Sequence, residues 1–525
     1  MSSPVAFRPV KGSIGLFLAC LLALNACRSS SPPQRVLRIG MESAPLHLDP
    51  RFALDAASYR VIQLLYNGLV RLDAHGRAVP DLAVSWEMPT PTTYVFHLRR
   101  GVRFHDGTPL TAADVYYTFT SLLDPALKSP KRASFAHIRA VEVLSDDTVR
   151  FVLSQPFAPF LADNMTLGIV PRPRSNAAPH SLDRHPIGTG PFAFVKWEAN
   201  EAIHLRAHTG YFAGKPGLDG IVLRIIPDAM VRLFELQKGT LDMLQNALPP
   251  DLLASLHGDT RFRILQAPGT NFTYLGLNCR DPILRHVKVR RALAHAIDRN
   301  ALIQHVLRGM ARPAVGILPA GHWAYEPHVP RYDYDPQRAA RLLDEAGFPD
   351  PDGAGPKPRF RLLYKTSQNE VGRRLAEVIQ EFLRHVGIAV DIRSYEWGTF
   401  FADIRAGNFQ VYALTWVGVT DPDIFYYVLH SRSVPPAGAN RGHYSNARLD
   451  ALLEQARSTT DTEQRRRLYS EAQKIVAAEL PYIPLWHQTN VAVLRTTFAG
   501  YRLLPSGDFR ALQSVRWLAT TAALH

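Results

Sequence analysis

Hydrophobic positions in the first part of the chain alternate with polar ones. This is clearest in Thr93–Leu98 and in Val149–Leu153, the second of which follows a short polar turn. Alternation of this kind predicts strands with one buried face. A helix is predicted to begin at Thr111, because Asp114 stands three residues further on, in capping-box spacing. We therefore predict that residues 59–185 form an antiparallel α+β subdomain.

The spacing changes in residues 270–485, where helices are predicted to alternate with strands. The apolar residues of 289–297 recur at intervals of three and four, which is typical of the buried stripe of an amphipathic helix. Another helix is predicted between Pro336, in its first turn, and Gly347, just past its end. A strand is predicted at 409–414. Such alternation indicates right-handed crossovers and a largely parallel sheet.

Length and charge limit the classes of protein that fit. At 525 residues the chain exceeds what one hydrophobic core usually organises, so two or three domains are expected. Lys and Arg outnumber Asp and Glu by 60 to 46, which gives a net charge of +14. The basic residues are scattered, and Arg465–Arg467 is the single run of three. We interpret the excess as solvated surface and expect no nucleic-acid partner.

The N-terminal residues have the pattern of an export signal. A basic start is followed by the apolar stretch 14–24, which is too short to span a bilayer. Residues 24–27 (LNAC) resemble a bacterial lipobox, which implies that Cys27 is acylated and becomes the mature N-terminus; the alternative is simple cleavage. Residues 28–34 are then a polar tether. Cys279 is left alone, so neither a disulfide nor a cysteine metal cluster is expected.

Common catalytic and metal-binding motifs are missing from the sequence. It contains no HExxH, GxSxG, CxxC or GxxxxGK[ST]. Gly188–Pro191 (GTGP) has a proline where a phosphate-binding loop needs an amide donor. His204 and His208 lie on a predicted strand, where four residues span roughly 13 Å, too far for one ion. We therefore expect no enzyme activity, no cofactor and no metal site.

The most informative candidate site is the segment 416–427 (WVGVTDPDIFYY). It follows the predicted strand 409–414 at the carboxyl end, where open α/β sheets bind ligands. The aromatic face of Trp416 and the carboxylates of Asp421 and Asp423 suit a ligand with an apolar body and a cationic group. The alternative is that the two acids form a turn that caps the next helix, and that the tryptophan belongs to the core.

Three blocks of the sequence resemble the extracytoplasmic solute-binding proteins of family 5, which serve peptide, nickel and related ABC importers. The blocks are Leu65–Trp86 (LYNGLVRLDAHGRAVPDLAVSW), Thr93–Pro125 (TYVFHLRRGVRFHDGTPLTAADVYYTFTSLLDP) and Tyr274–Arg299 (YLGLNCRDPILRHVKVRRALAHAIDR). The resemblance implies an α/β fold, the periplasmic-binding-protein type II fold with two lobes and an extra inserted subdomain. That makes three domains.

The resemblance also implies how the chain divides. His185–Trp197 (HPIGTGPFAFVKW) is similar to the family segment in which the chain returns to the first lobe. The expected parts are lobe I (35–58, 186–269 and 485–525), the inserted subdomain (59–185) and lobe II (270–484), preceded by the signal peptide (1–27) and the tether (28–34).

The implied function is capture of a peptide or peptide-like solute between the lobes and its delivery to a cognate ABC permease. The resemblance also implies that the protein is a monomer at the periplasmic cell envelope, anchored to the membrane through lipidated Cys27. Three alternatives stay open: a binder of another solute (a nickel chelate, an opine or a sugar), an envelope sensor without transport, and an exported hydrolase. The missing nucleophile motifs speak against the hydrolase.

Peptide binders of this family carry a Gly-Trp pair, then an Asp that pairs with the ligand α-amino group, and then an Asp-Pro step. Trp416 and Asp421-Pro422 match this pattern. Thr415 stands in place of the glycine and Val419 in place of the amine-binding aspartate. A valine cannot compensate a buried ammonium group. Either Asp421 has moved into that role, or the ligand is not an ordinary free-amine peptide.

A second block, 438–450 (GANRGHYSNARLD), resembles the Tyr-Ser-Asn block that follows this loop in the family. Asn440, Arg441 and Tyr444 are its candidates for reaching the cleft. The alternative is an ordinary surface loop.

Overall fold

The structure is a computed structural model that describes residues 35–173, 181–353 and 355–518. The predicted signal peptide and tether, with Cys27, lie outside these ranges. Within them, no helix combines the length and the apolar character needed to cross a membrane.

The described chain is a mixture of strands and helices. The strands are β1 Val36–Met41, β2 Val70–Leu72, β3 Ala78–Pro80, β4 Ala83–Thr90, β5 Thr93–Leu98, β6 Ile138–Ser145, β7 Thr148–Leu153, β8 Phe192–Glu198, β9 Ala202–Ala207, β10 Gly220–Ile225, β11 Met243–Gln245, β12 Phe262–Leu277, β13 Ala311–Pro313, β14 Phe360–Ser367, β15 Ile388–Tyr395, β16 Val411–Trp416, β17 Tyr482–Arg495, β18 Phe498–Ala499 and β19 Arg516–Trp517. The α-helices are α1 Ala56–Leu65, α2 Ala112–Leu123, α3 Ala229–Lys238, α4 Pro250–Ala254, α5 Val287–Ala296, α6 Arg299–His305, α7 Pro336–Glu345, α8 Glu370–Arg384, α9 Trp397–Ala406, α10 Ile424–Leu429, α11 Ala447–Ser458 and α12 Thr462–Glu479.

The inserted subdomain is built on an antiparallel sheet in the order β4-β5-β7-β6, with α2 packed against it. The predicted hairpin is confirmed as β6 and β7. The predicted capping box is confirmed as well, since the Thr111 amide donates to Asp114 Oδ2 at 2.9 Å. The core of this sheet draws on buried side chains between Leu69 and Ile169.

Lobe I contains β1 between the parallel neighbours β10 and β11. Helix α1 packs here: Val61 and Leu64 belong to the same buried core as Leu37 and Ile39 of β1. The boundary at residue 59 stays a prediction, but this packing favours a subdomain that begins after α1.

Lobe II places β14 between β15 and β16, and all three strands are parallel. Helices α5, α7 and α8 contribute to the hydrophobic core beside this part of the sheet. The neighbouring strand β12 runs antiparallel to β16, and β17 runs antiparallel to β12. The largely parallel sheet predicted for this region is therefore correct for β14–β16 only, because the strands that follow them in the sheet run in the opposite direction.

Strands β12 and β17 carry one continuous sheet through both lobes, in the order β15-β14-β16-β12-β17-β11-β1-β10-β9-β8. Their pairing is interrupted near the predicted boundaries of lobe II, at residues 270 and 484. Pro268 is opposite Thr489 and Phe272 is opposite His487, so residues 269–271 face Gln488 alone. We call residues 269–271 the hinge bulge. A bulge of this kind bends the strand and increases its local twist.

Candidate functional site

Trp416 is the last residue of β16 and lies opposite Phe272 of β12, directly beside the hinge bulge. The predicted position at a carboxyl strand end is therefore confirmed. The loop that follows Trp416, residues 417–420, is hydrogen-bonded to the hinge bulge. The Gly418 amide donates to Asn271 Oδ1 (2.9 Å), and the Val419 amide donates to the Thr270 carbonyl oxygen (3.3 Å). Two backbone amides of the loop are thus hydrogen-bonded to residues of the hinge bulge.

Aromatic side chains surround Trp416. Its ring stacks on Tyr274, with centroids 6.3 Å apart, and meets Tyr427 edge-on at 6.1 Å. Tyr427 and the adjacent Val417 are exposed. Large apolar groups left uncovered next to one another are typical of a surface that binds a ligand or a partner. We call Trp416, Tyr427 and the adjacent Val417 the aromatic wall.

The two predicted ligand carboxylates each have an arginine partner. Arg465 donates two hydrogen bonds, of 2.8 and 3.3 Å, to Asp421. The Arg465 side chain is 8% exposed and the Asp421 side chain 5% exposed. Arg457 Nε lies 3.0 and 3.1 Å from the Asp423 oxygens. Asp421 also accepts the Asp423 amide at 2.8 Å, so it stabilises the turn before α10. That these acids face a ligand cation stays a prediction, and their charges are already neutralised by arginines.

A third carboxylate approaches this cluster from the inserted subdomain. Asp163 is exposed to solvent, yet the dense packing of protein around it and the negative charges of Asp421 and Asp423 raise its pKa. Burial also raises the pKa of Asp423 to about 7, against the opposing effect of Arg457. Asp163, Arg457 and Arg465 were not predicted as site residues, because no local signal links them to the segment 416–427.

The subdomain contacts lobe II beside the acidic cluster and at the turn between β2 and β3. Beside the acidic cluster, the Ala158 amide donates to the Arg457 carbonyl oxygen at 2.7 Å. At the turn between β2 and β3, a Cβ on Gly76 would lie 2.7 Å from the Thr420 carbonyl oxygen. Gly76 has φ +80°, so this close approach and this backbone conformation both require glycine. The loop 417–420 is therefore held between the hinge bulge and the subdomain.

Three of the other predicted site residues make internal contacts. Val419 is buried in the core of lobe II. Asn440 is buried too; its side-chain amide donates to the carbonyl oxygens of residues 429, 430 and 444, and its oxygen accepts the Tyr444 amide at 3.0 Å. The Tyr444 hydroxyl donates to Glu479 at 2.8 Å. These contacts support a structural role for the three side chains.

Arg441 has a different environment. It is 8% exposed, and its guanidinium carbon lies 4.9 Å from the Trp416 ring centroid and 5.1 Å from that of Phe401. Nη1 donates to the Tyr274 hydroxyl at 3.3 Å. Within the described ranges, Arg441 has no carboxylate partner. The neighbouring groups that act on its pKa are tyrosines.

A cavity of about 620 Å³ opens elsewhere in lobe II, between residues 294–300, 330–334 and 477–484. None of the predicted site residues lines it. We therefore assign the candidate site to the aromatic wall and not to this cavity.

Known proteins resemble this chain over most of its length. Residues 77–435 match the family described as bacterial extracellular solute-binding proteins, family 5 middle. Heme-binding protein A of Haemophilus influenzae is 32% identical over 88% of this chain and 89% of that protein. The dipeptide-binding protein of Escherichia coli is 31% identical over 89% of this chain and 92% of that protein. The oligopeptide-binding protein AppA of Bacillus subtilis, solved with a nonapeptide, is 28% identical with a TM-score of 0.74, covering 92% of this chain and 99% of that one.

The structural match covers 92% of this chain, so the predicted α/β fold of periplasmic-binding-protein type II is confirmed. The relatives named above are binding proteins. The chain belongs to the bacterial extracellular solute-binding proteins of family 5.

Proposed function

We propose that this chain captures a peptide or peptide-like solute against the aromatic wall and delivers it to an ABC permease. The observation that carries this proposal is the aromatic wall at the carboxyl end of β16, fastened to the hinge bulge by the Gly418 and Val419 amides. The names of two relatives support a peptide: one is a dipeptide-binding protein, and another was solved with a nonapeptide.

The proposed mechanism is hinge closure. A solute that touches both lobes binds the closed arrangement more tightly than the open one, and this difference in affinity drives closure. Strands β12 and β17 link the lobes, so bending at the hinge bulge changes the angle between them. Because the loop 417–420 is bonded to the bulge, a solute resting on Trp416 favours one hinge angle.

Small-angle scattering and native mass spectrometry test this proposal together. Protein purified from its own host should carry a solute, and adding back that solute to emptied protein should reduce the radius of gyration. The solute should be recovered chemically unchanged. Trp416→Ala should weaken binding, while Trp517→Ala, a half-exposed tryptophan on β19 of lobe I, should not. A cleaved product formed in proportion to protein concentration would contradict the proposal in favour of a hydrolase.

Other solute classes are alternatives to a peptide. The relative from Haemophilus influenzae is a heme-binding protein, so similarity at this level extends to proteins named for different ligands. A panel of short peptides, a nickel chelate, an opine and a sugar separates these classes by calorimetry. Binding of peptides alone supports the proposal, and binding of another class alone replaces the peptide.

We also propose that the mature protein is a monomer attached to the cell envelope through Cys27. The support for the anchor is the apolar stretch 14–24 followed by Ala26 and Cys27. Stable anchoring needs more than one acyl chain, because a single chain binds membranes only marginally. Cys27→Ala should release the protein from membrane fractions. Equal fractionation of the two forms, with no lipid mass on the N-terminal peptide, would contradict the anchor.

A further inference from the structure

Charge is distributed unevenly around Trp416. The acids that follow it, Asp421 and Asp423, are neutralised by Arg465 and Arg457. Arg441, whose guanidinium lies over the Trp416 ring, has no carboxylate partner within the described ranges. Within the described ranges, the charged group in contact with the Trp416 ring is therefore a cation without a carboxylate partner, whereas the two aspartates suggest from the sequence a site for a ligand cation.

We propose that Arg441 binds a carboxylate of the solute while the apolar body of the solute lies on the aromatic wall. This inference rests on the proposed function and adds to it the chemistry of the ligand: an apolar or planar solute with an anionic group close to the hinge. The charge that would select an anionic solute then lies on lobe II, 25 residues after Trp416 in the sequence.

The position of Arg441 argues for a ligand contact. Its side chain is more than nine-tenths buried, and burying a charge without a counter-ion is costly. The rings of Trp416 and Phe401, each about 5 Å from the guanidinium carbon, offset part of that cost through cation–π attraction. They also hold the planar group in one orientation, so little conformational freedom is lost when a ligand binds.

The Arg441 guanidinium also has more N–H donors than it has acceptors in the protein. It carries five N–H groups, and the hydroxyls of Tyr274 and Tyr412 are its hydrogen-bonding neighbours. Each guanidinium nitrogen of Arg441 either has a hydrogen-bond partner or is accessible to solvent. The donors that lack a protein acceptor therefore reach accessible space. A carboxylate fits such a group well, because it accepts two parallel hydrogen bonds from an arginine.

The competing explanation is that Arg441 only packs the core between its two rings. Core packing predicts that a lysine or a neutral residue of similar length changes stability but not ligand preference. A carboxylate site predicts a change of preference that depends on the charge of the ligand. The experiment must therefore compare two ligands that differ in one charge.

The probes are the tripeptide Ala-Phe-Ala as the free acid and as its C-terminal amide, titrated by calorimetry. The wild-type protein should bind the acid about tenfold to a hundredfold more tightly than the amide, as expected for a charge-assisted hydrogen bond. Arg441→Gln should lose that preference. Arg405→Gln, at an exposed arginine on α9, should keep it. Thermal unfolding of each variant checks that it is folded.

Equal binding of acid and amide by the wild-type protein would overturn the inference without using any variant. A preference for the acid that survives Arg441→Gln would also overturn it, because another group would then bind the carboxylate. If neither tripeptide binds, the peptide proposal fails, and the solute that copurifies with the protein decides the role of Arg441. A copurified solute with an anionic group, lost from Arg441→Gln, supports the inference; a neutral or cationic one refutes it.

Discussion

Replacing Arg465 with methionine should destabilise the protein strongly, because it leaves the Asp421 carboxylate buried without its partner. The two side chains are 8% and 5% exposed and joined by two hydrogen bonds. Breaking a buried pair from one side costs about 3–5 kcal/mol. Asp421→Asn should cost less, about 1–3 kcal/mol, because Arg465 keeps its contacts with the rings of Trp323 and Tyr469.

The double variant isolates the pair. It should be less destabilised than the sum of the single variants, by roughly 0.5–3 kcal/mol, if the two groups interact directly. Urea unfolding at pH 7, followed by tryptophan fluorescence, gives the free energies. Arg466→Met is the matched control: its partner Glu463 is largely exposed, so the loss should stay within about 1 kcal/mol. A similar loss for both arginines, or strict additivity in the cycle, would refute the reasoning.

The remaining predictions concern the hinge, acid stability and the loop after the site. Gly269→Ala should displace the hinge bulge and weaken solute binding, because a Cβ there would lie 2.4 Å from the Gln488 carbonyl oxygen; Gly316→Ala, where a Cβ meets nothing within 4 Å, should be neutral in the same titration. Burial lowers the pKa of His105 to about 4. The folded state therefore binds fewer protons than the unfolded state, and stability should fall as pH drops from about 6.5 to 4; His105→Gln should reduce this fall in thermal unfolding. Asn440→Ala should lower the free energy of unfolding by about 1–3 kcal/mol, since it leaves buried backbone groups unpaired. An unchanged unfolding midpoint with weaker solute binding would instead assign Asn440 to the ligand.

Features that depend on neighbouring residues are predictable from the sequence. The capping box of Thr111 and Asp114 is an example, since the two groups lie within one helical turn. Helix α7 begins at Pro336 and ends before Gly347 as predicted, because proline and glycine act on the local backbone. The place of Trp416 at a strand end also follows from local alternation and a turn signal.

The electrostatics of the site depend on contacts between distant parts of the chain. Asp421 and Arg465 are 44 residues apart, and Asp163 approaches them from another domain. Local patterns cannot show that an acid after a strand will meet an arginine on a later helix. The same limit applies to Arg441, which was a candidate only through resemblance of its loop, and whose contact with Trp416 is set by packing of lobe II.

Two adjacent strands, β12 and β17, carry the main sheet from one lobe to the other, and the short strand β13 pairs with β17 beside the hinge bulge. A narrow ribbon of this kind bends and twists more readily than it stretches or shears, because its hydrogen bonds fix the spacing and offset of the strands. The lobes are thus left with angular freedom and little sliding. An angular motion displaces points far from its axis more than points near it. In the proposed closure mechanism, the end of a solute beside Trp416 would therefore meet nearly constant geometry, while the end at the outer rim would meet a gap that adjusts to its length.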